Sequence, residues 1–304
     1  MARYVLCRPV GGLNDILCQI ERCCRYAHRF DRTVVVETNF PRARFIRDRF
    51  DRYFASGDPR LVLSVEAVGG PLPDDDVLPT SLCGRLADYR AQFHAPTDSF
   101  VEFGTGLPLT FDFDADHPQR VLLHHQPGGG PDSLDCLARM TIQRPLAEEL
   151  ARRWAAIGPG YEAIHVRHTD YRSDFRFAIQ ALGRAAPERL FVATDNGAVL
   201  KAFRRALGVD RVFSFSLLRF VPGEPIHKLL LGPEHTYERN RDAVLDLLML
   251  ALARNLYLLP VEEQDPPLHS GYSLLAQALH ENPAILRRLI ADPRFDAAGP
   301  AAAE

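Results

Sequence analysis

The sequence predicts an α/β protein folded as two parallel-sheet halves, and three observations carry that expectation. The chain opens as strand, glycine turn, helix, strand. Its second half alternates short apolar runs with helical stretches, the pattern of a parallel sheet with helices on both faces. Its 304 residues suit two domains at about 150 residues each.

Tyr4-Val5-Leu6-Cys7 is an apolar run broken by Gly11-Gly12. From Leu13, apolar residues recur at Ile16, Leu17, Ile20, Cys24 and Ala27, which is helical spacing with one buried face. Thr33-Val34-Val35-Val36 is a β-branched strand, closing a βαβ unit. Phe45 to Phe54 reads as a helix and Leu61-Val62-Leu63 as a short strand. Between 65 and 120, prolines, glycines and the Asp74-Asp75-Asp76 run predict loops, and the pattern does not order them. Val121-Leu122-Leu123 is a strand leading into His124-His125-Gln126-Pro127 and three glycines. Ser133 to Met140 and Pro145 to Ile157 are helices, the second with proline at its first position. Gly158-Pro159-Gly160 then breaks the pattern, so the boundary is placed at 145/146 within a window from 141 to 160. In the second half, 161–166, 190–193, 212–215 and 256–259 read as strands, and 197–207 and 240–254 as helices. A further helix begins near Ser273, and the alanine-rich last ten residues read as a frayed tail.

Composition narrows the class. The chain is 46% hydrophobic and 25% charged, which is ordinary for a globular protein with an ample core. No window approaches 18 apolar residues, and the first apolar run is too short for a secretory signal, so no membrane segment and a cytoplasmic location are expected. A net charge of −3 argues against a nucleic-acid binder. The 36 basic residues include two lysines, Lys201 and Lys228, so phosphate recognition falls to arginine. The six cysteines form no C-x-x-C pair and read as free, mostly buried thiols rather than a disulfide framework or zinc site.

Ligands of open α/β sheets sit beyond the carboxyl ends of the strands. Three second-half strands lead there into polar clusters: His165-Val166-Arg167-His168-Thr169-Asp170, Thr194-Asp195-Asn196, and His269-Ser270-Gly271-Tyr272-Ser273 at a helix start. A helix N-terminus offers unpaired N–H groups and partial positive charge, and an arginine offers a bidentate cation, a combination suited to a nucleotide diphosphate. Asp195 is then available to ribose or base hydroxyls. Singly, each has a structural reading: Arg167 pairing with Asp170 or Asp174, Asp195 capping the helix at Gly197, and Ser270 or Ser273 capping theirs. Elsewhere, Asp74-Asp75-Asp76 reads as a solvated loop rather than a metal motif. His124-His125 lines or caps more readily than it ligates, and Gly128-Gly129-Gly130 lacks the P-loop pattern.

His165-Val166-Arg167-His168-Thr169-Asp170 resembles the H-x-R-x-x-D motif of the GDP-fucose-dependent fucosyltransferases, which include the nodulation and core alpha-1,6, the alpha-1,2 and the protein O-fucosyltransferases. Gly11-Gly12-Leu13-Asn14-Asp15 is similar to their N-terminal G-G-x-x-N/D loop, and Val192-Ala193-Thr194-Asp195-Asn196 to their second donor motif. Asp246-Leu247-Leu248 followed by Ser270-Gly271-Tyr272-Ser273 resembles the third. The four motifs fall in family order at both ends of the chain. The resemblance implies a GT-B fold, two Rossmann-like domains facing a cleft, with an acceptor-side domain over 1–145 and a donor domain over 146–304. It implies inverting, metal-independent transfer of fucose from GDP-fucose to a carbohydrate or peptide hydroxyl, without a cofactor. It also implies a donor set of Gly11, Gly12, Asn14, His165, Arg167, Asp195, Asn196, Asp246, Ser270, Gly271, Tyr272 and Ser273. Arg167 is expected on the β-phosphate. Asp15 is the expected general base or a simple helix cap, with Asp170 and Asp174 competing for the proton. Two departures stand out: His168 where the alpha-1,6 enzymes have a second arginine, and an acidic loop over 261–267. Another nucleotide sugar, or sugar-nucleotide binding without turnover, are the competing readings.

Overall fold

The computed structural model describes residues 2–40, 43, 46–169, 172–216, 231–261 and 268–295. The chain divides into two compact units, Met1–Thr141 and Ile142–Glu304.

In the first unit, β1 (Tyr4–Cys7) leads through Gly11-Gly12 into α1 (Leu13–Arg29) and back into β2 (Thr33–Val36). Ile16, Leu17, Ile20, Cys23, Cys24 and Ala27 form the buried face of α1, as its spacing predicts. Short segments follow: β3 (Phe54–Ser56), β4 (Leu61–Val62), β5 (Val77–Leu78), β6 (Ala91–His94) and β7 (Ser99–Glu102). β8 (Val121–His124), α2 (Ser133–Leu137) and β9 (Met140–Ile142) complete this part of the chain. The main sheet is parallel, in the order β4-β2-β1-β8-β5. β1 lies centrally, Leu6 beside Val35 on one side and Leu123 on the other, so it is buried on both faces and reads as a continuous apolar run.

In the second unit, α3 (Arg144–Ile157) precedes β10 (Glu162–Val166), α4 (Phe175–Ala185), β11 (Leu190–Thr194), α5 (Gly197–Leu207) and β12 (Val212–Phe213). α6 (Pro233–Ala251), β13 (Asn255–Leu258), α7 (Gly271–Glu281) and α8 (Pro283–Ile290) follow. Its sheet is also parallel, ordered β12-β11-β10-β13. Ile164, Val166, Val192, Leu182, Val199 and Phe203 pack into one core between the sheet and the helices α4 and α5.

Several expectations are corrected. The described part of 45–54 is a 3₁₀ turn, Phe50–Arg52, followed by β3. There the Asp48 side chain accepts from Arg52 and Tyr53 while Thr38 takes the Asp48 carbonyl, competing with the helical ladder. The helix from Ser133 stops at Leu137, because Met140 and Ile142 are buried either side of a half-exposed Thr141 in strand alternation. Pro145 is the second residue of α3, not its first. β12 ends at Phe213, two residues short of the expected strand. α6 starts at Pro233, seven residues before the expected start at 240, through a polar first half. The 65–120 stretch contains strands too short to leave a period, and α4 and α8 are additional helices. All six cysteines are free, and five are buried, with Cys83 exposed. Among the described residues, no helix is long and apolar enough to cross a membrane. The terminal tail and most of the acidic loop lie outside the described residues.

Candidate donor site and glycine loops

In the second unit, the motif residues converge at the carboxyl edge of β10 and β11. His165, the penultimate residue of β10, is buried, and its Nδ1 lies 2.7 Å from Ser273 Oγ. Ser273 Oγ lies 2.9 Å from Ser270 Oγ, and Ser270 caps α7 by accepting the Ser273 N–H at 3.1 Å. The strand end is thereby tied to the positive end of a helix. Burial, reinforced by the Arg167 guanidinium, pushes His165 down to about 3, so its imidazole is neutral at physiological pH. The Arg167 side chain, two residues further on, is half-buried.

Asp195, just past β11, fixes the loop after β10. Its Oδ1 accepts the His168 N–H at 2.7 Å and its Oδ2 accepts the Thr169 hydroxyl at 2.6 Å. Asn196 reaches the same loop, donating to the His168 carbonyl at 2.8 Å. Asn196, not Asp195, caps α5, accepting from Ala198 N at 2.9 Å. Ser173 closes the loop from the other end by donating to the Arg167 carbonyl at 3.0 Å. Asp174 caps α4, and Asp170 lies outside the described residues. Arg167 is therefore carried on a segment clamped at both sides, which suits a cation that must be held ready for an anion.

Asp246 sits on α6 within a buried charge cluster that sequence reasoning missed. Arg153, 3% exposed on α3, donates to Asp246 at 3.2 Å, to Glu149 at 3.0 Å and to Asp242. Ser216 donates to the second Asp246 oxygen at 2.5 Å. The signal was present in the sequence. Arg153 shares the apolar stripe of α3 with Leu146, Leu150 and Ile157, where a charge needs a partner. Tyr272, which donates to the Ala243 carbonyl at 2.6 Å, senses the Asp246 charge and packs its ring 4.9 Å from that of His165. Asp246, Tyr272, His165, Ser270 and Ser273 thus form one continuous cluster.

Burial raises the Asp246 carboxyl to about 7, against the opposing pull of Arg153. A carboxyl whose folded value lies above its unfolded value keeps its proton longer when folded. Its stabilising contribution is therefore complete below about pH 4 and is lost as pH climbs to about 7. Asp246→Asn is expected to flatten that slope: its urea midpoint should fall less than the wild type's between about pH 4 and about pH 7.

The first-unit motif has its own construction. Gly11 is at φ +129°, a conformation that favours glycine, and a Cβ there would lie 2.5 Å from Asp15 Oδ2. That same oxygen accepts the Gly12 N–H at 3.1 Å, so Asp15 reaches back from the third helical residue to cap α1. A Cβ at Gly129 would lie 2.5 Å from Asp15 Oδ1. The carboxylate is thus wedged between two glycine loops. Asn14 completes the seam, donating to the Gly130 carbonyl at 3.3 Å and accepting from Ser133 Oγ at 2.7 Å. His124 is buried between Gln19 Oε1 at 2.7 Å and Thr110 Oγ1 at 2.8 Å, and burial lowers it to about 3. Asp76 accepts the Arg120 N–H at 3.0 Å, and the Asp76 carbonyl accepts from Val121, which fastens the sheet. Among the described residues, no three His, Cys, Asp or Glu side chains gather as a metal site would require.

No family model matches the chain, and no curated protein matches it. Solved structures do. The fucosyltransferase NodZ from Bradyrhizobium superposes at a TM-score of 0.59 and 16% identity, over 92% of this chain and 94% of that one. NodZ alpha-1,6-fucosyltransferase co-crystallized with GDP gives 0.58 at 15% identity, covering 92% and 93%. POFUT1 in complex with GDP-fucose gives 0.51 at 12% identity, covering 92% and 95%. The α/β fold with parallel sheets is therefore shared with these solved fucosyltransferase structures.

Proposed function

We propose that this protein is an inverting, metal-independent glycosyltransferase that moves fucose from GDP-fucose to a hydroxyl acceptor. The observation that carries this reading is the meeting of Arg167, the Asp195-clamped loop and the N-terminus of α7 at one sheet edge. As the glycosidic C–O bond breaks, negative charge grows on the departing diphosphate. A fixed guanidinium and a helix N-terminus stabilise that charge without first reorganising. With those groups carrying the electrostatics, no divalent ion is required. The acceptor hydroxyl attacks from the opposite face of the sugar, through an oxocarbenium-like state in which proton removal is late.

The test is a donor panel. GDP and GDP-fucose at about a hundred times their Kd should stabilise the protein by about 2.7 kcal/mol, a shift of several degrees. GDP should be released from GDP-fucose in the presence of acceptor and of a chelator. An equal shift with UDP- or ADP-sugars overturns the donor assignment, and loss of activity restored by manganese or magnesium overturns metal independence.

Asp15 is the carboxylate of the first-unit motif proposed to take the proton. Its use as a helix cap favours the alternative, a structural role. A general base loses about a hundredfold or more in turnover on Asp15→Asn while keeping donor affinity. Wild-type turnover in Asp15→Asn transfers the role to Asp170 or Asp174.

A further inference from the structure

The first unit contains a cavity of about 340 Å³ at the carboxyl edge of its sheet, a volume within the range of small-molecule sites. Its walls come from the segments following β1, β2 and β8, from the chain before β6 and from β7, including Arg8, Phe40, Tyr89, Phe100 and His125. None of these residues belongs to the four motifs.

Two properties define what it accepts. First, the walls are aromatic. The His125 ring stacks on Phe100 at 5.3 Å and 24°, and Phe40 meets the same imidazole edge-on at 5.3 Å. Second, its buried polar groups form one neutralised chain. Arg8, 5% exposed, pairs with Glu37 at 2.7 Å and donates to the Leu86 carbonyl at 2.9 Å. Its guanidinium lies over both the Phe40 and Tyr89 rings. Tyr89 then lies 2.5 Å from His125 Nδ1. Whichever of the two donates, that contact joins the phenol to the imidazole. At the rim, Asp88 and Arg90 carry opposite charges.

A cavity whose cation is already neutralised disfavours an anion, and one without surplus carboxylate disfavours a cation. Aromatic faces with negative π-clouds attract polarised C–H groups, and a polar chain beside them suits hydroxyls. We propose that this cavity seats one neutral pyranose ring, its C–H face on Phe40 or Phe100 and its hydroxyls along the Arg8–Tyr89–His125 chain. Treating that ring as part of the acceptor rests on the transferase reading. The binding itself does not.

The test therefore omits donor. Saturation-transfer NMR on the wild-type chain with methyl β-glucopyranoside, methyl β-galactopyranoside and N-acetylglucosamine is expected to show binding of at least one at millimolar Kd. Phe40→Ala should weaken that binding about threefold to tenfold by removing a stacking face. Ala87→Trp, which fills the mouth from an exposed position, should abolish it. Three results overturn the proposal: no sugar of the panel binding, binding unaffected by Ala87→Trp, or benzyl alcohol binding more tightly than every sugar. Failure of the donor panel leaves this result unchanged, so the two readings fail separately.

Discussion

Arg167→Ala is expected to lower fucosyl transfer by about a hundredfold to a thousandfold, the usual cost of removing one preorganised donor from a site of developing negative charge. The loop that carries Arg167 is fixed by Asp195, Asn196 and Ser173 through its backbone and neighbouring side chains. Those contacts do not involve the guanidinium, so the clamp on the loop should survive the change, which a circular-dichroism spectrum of the variant checks. Arg167→Lys should restore only a small part of the rate. It returns the charge but not the planar fork that grips two phosphate oxygens at once. A steady-state comparison of kcat and KM with GDP-fucose checks the point, the loss being expected in kcat because the charge is largest in the transition state. A folded Arg167→Ala protein with most of its turnover refutes the phosphate role.

The second large effect is on stability. Arg153→Ala leaves Glu149, Asp242 and Asp246 without the arginine that joins α3 to α6. Removing one partner from a buried ionic cluster costs about 3–5 kcal/mol, because the stranded charges stay desolvated. Arg241, 3.0 Å from Asp242, and Arg152, paired with Glu149, compensate two of the three in part, which puts the expected value at the lower end. Two companion measurements separate this cause from simple loss of packing. The deficit should shrink as pH falls and the carboxylates take up protons. Adding Asp246→Asn to Arg153→Ala should recover part of the lost midpoint, a non-additive result that a packing defect would not give. Urea denaturation of the four proteins at two pH values decides it.

The parts of this molecule that the sequence disclosed are those whose geometry imprints a period. The apolar stripe of α1, the continuous run of β1 and the strand–helix alternation from β10 to α5 each come from burial repeating at a fixed spacing. So did the polar strand ends, because residues past a buried strand face solvent or ligand by default. Two-residue strands such as β4 and β5 leave no period, since their pairing partners lie elsewhere in the chain. The Phe50 turn was misread as a helix because Asp48 and Thr38 decide it through side-chain bonds that hydrophobicity does not record. The stripe of α3 marks Arg153 as a buried charge, but its partners leave no local trace, because Arg153 and Asp246 meet across 93 positions of sequence. The cavity around His125 assembles from segments scattered between residues 8 and 125, and its arginine directly follows a strand, a place with no diagnostic spacing.

The wedging of Asp15 between Gly11 and Gly129 has a consequence for how this chain can vary. A side chain at 129 and a carboxylate at 15 claim the same space, so neither position is inherited independently of the other. Gly129→Ala in the present background forces the carboxylate off the Gly12 N–H and loosens the start of α1. In a background where position 15 is already alanine or glycine, the same change meets no carboxylate, and α1 has lost that cap beforehand. Mutational order therefore matters: the path that shortens residue 15 first is passable, and the path that enlarges residue 129 first crosses a stability valley. The seam behaves as a ratchet on drift, holding Gly129 in place for as long as the acid remains, while Gly11 is held by its own backbone as well.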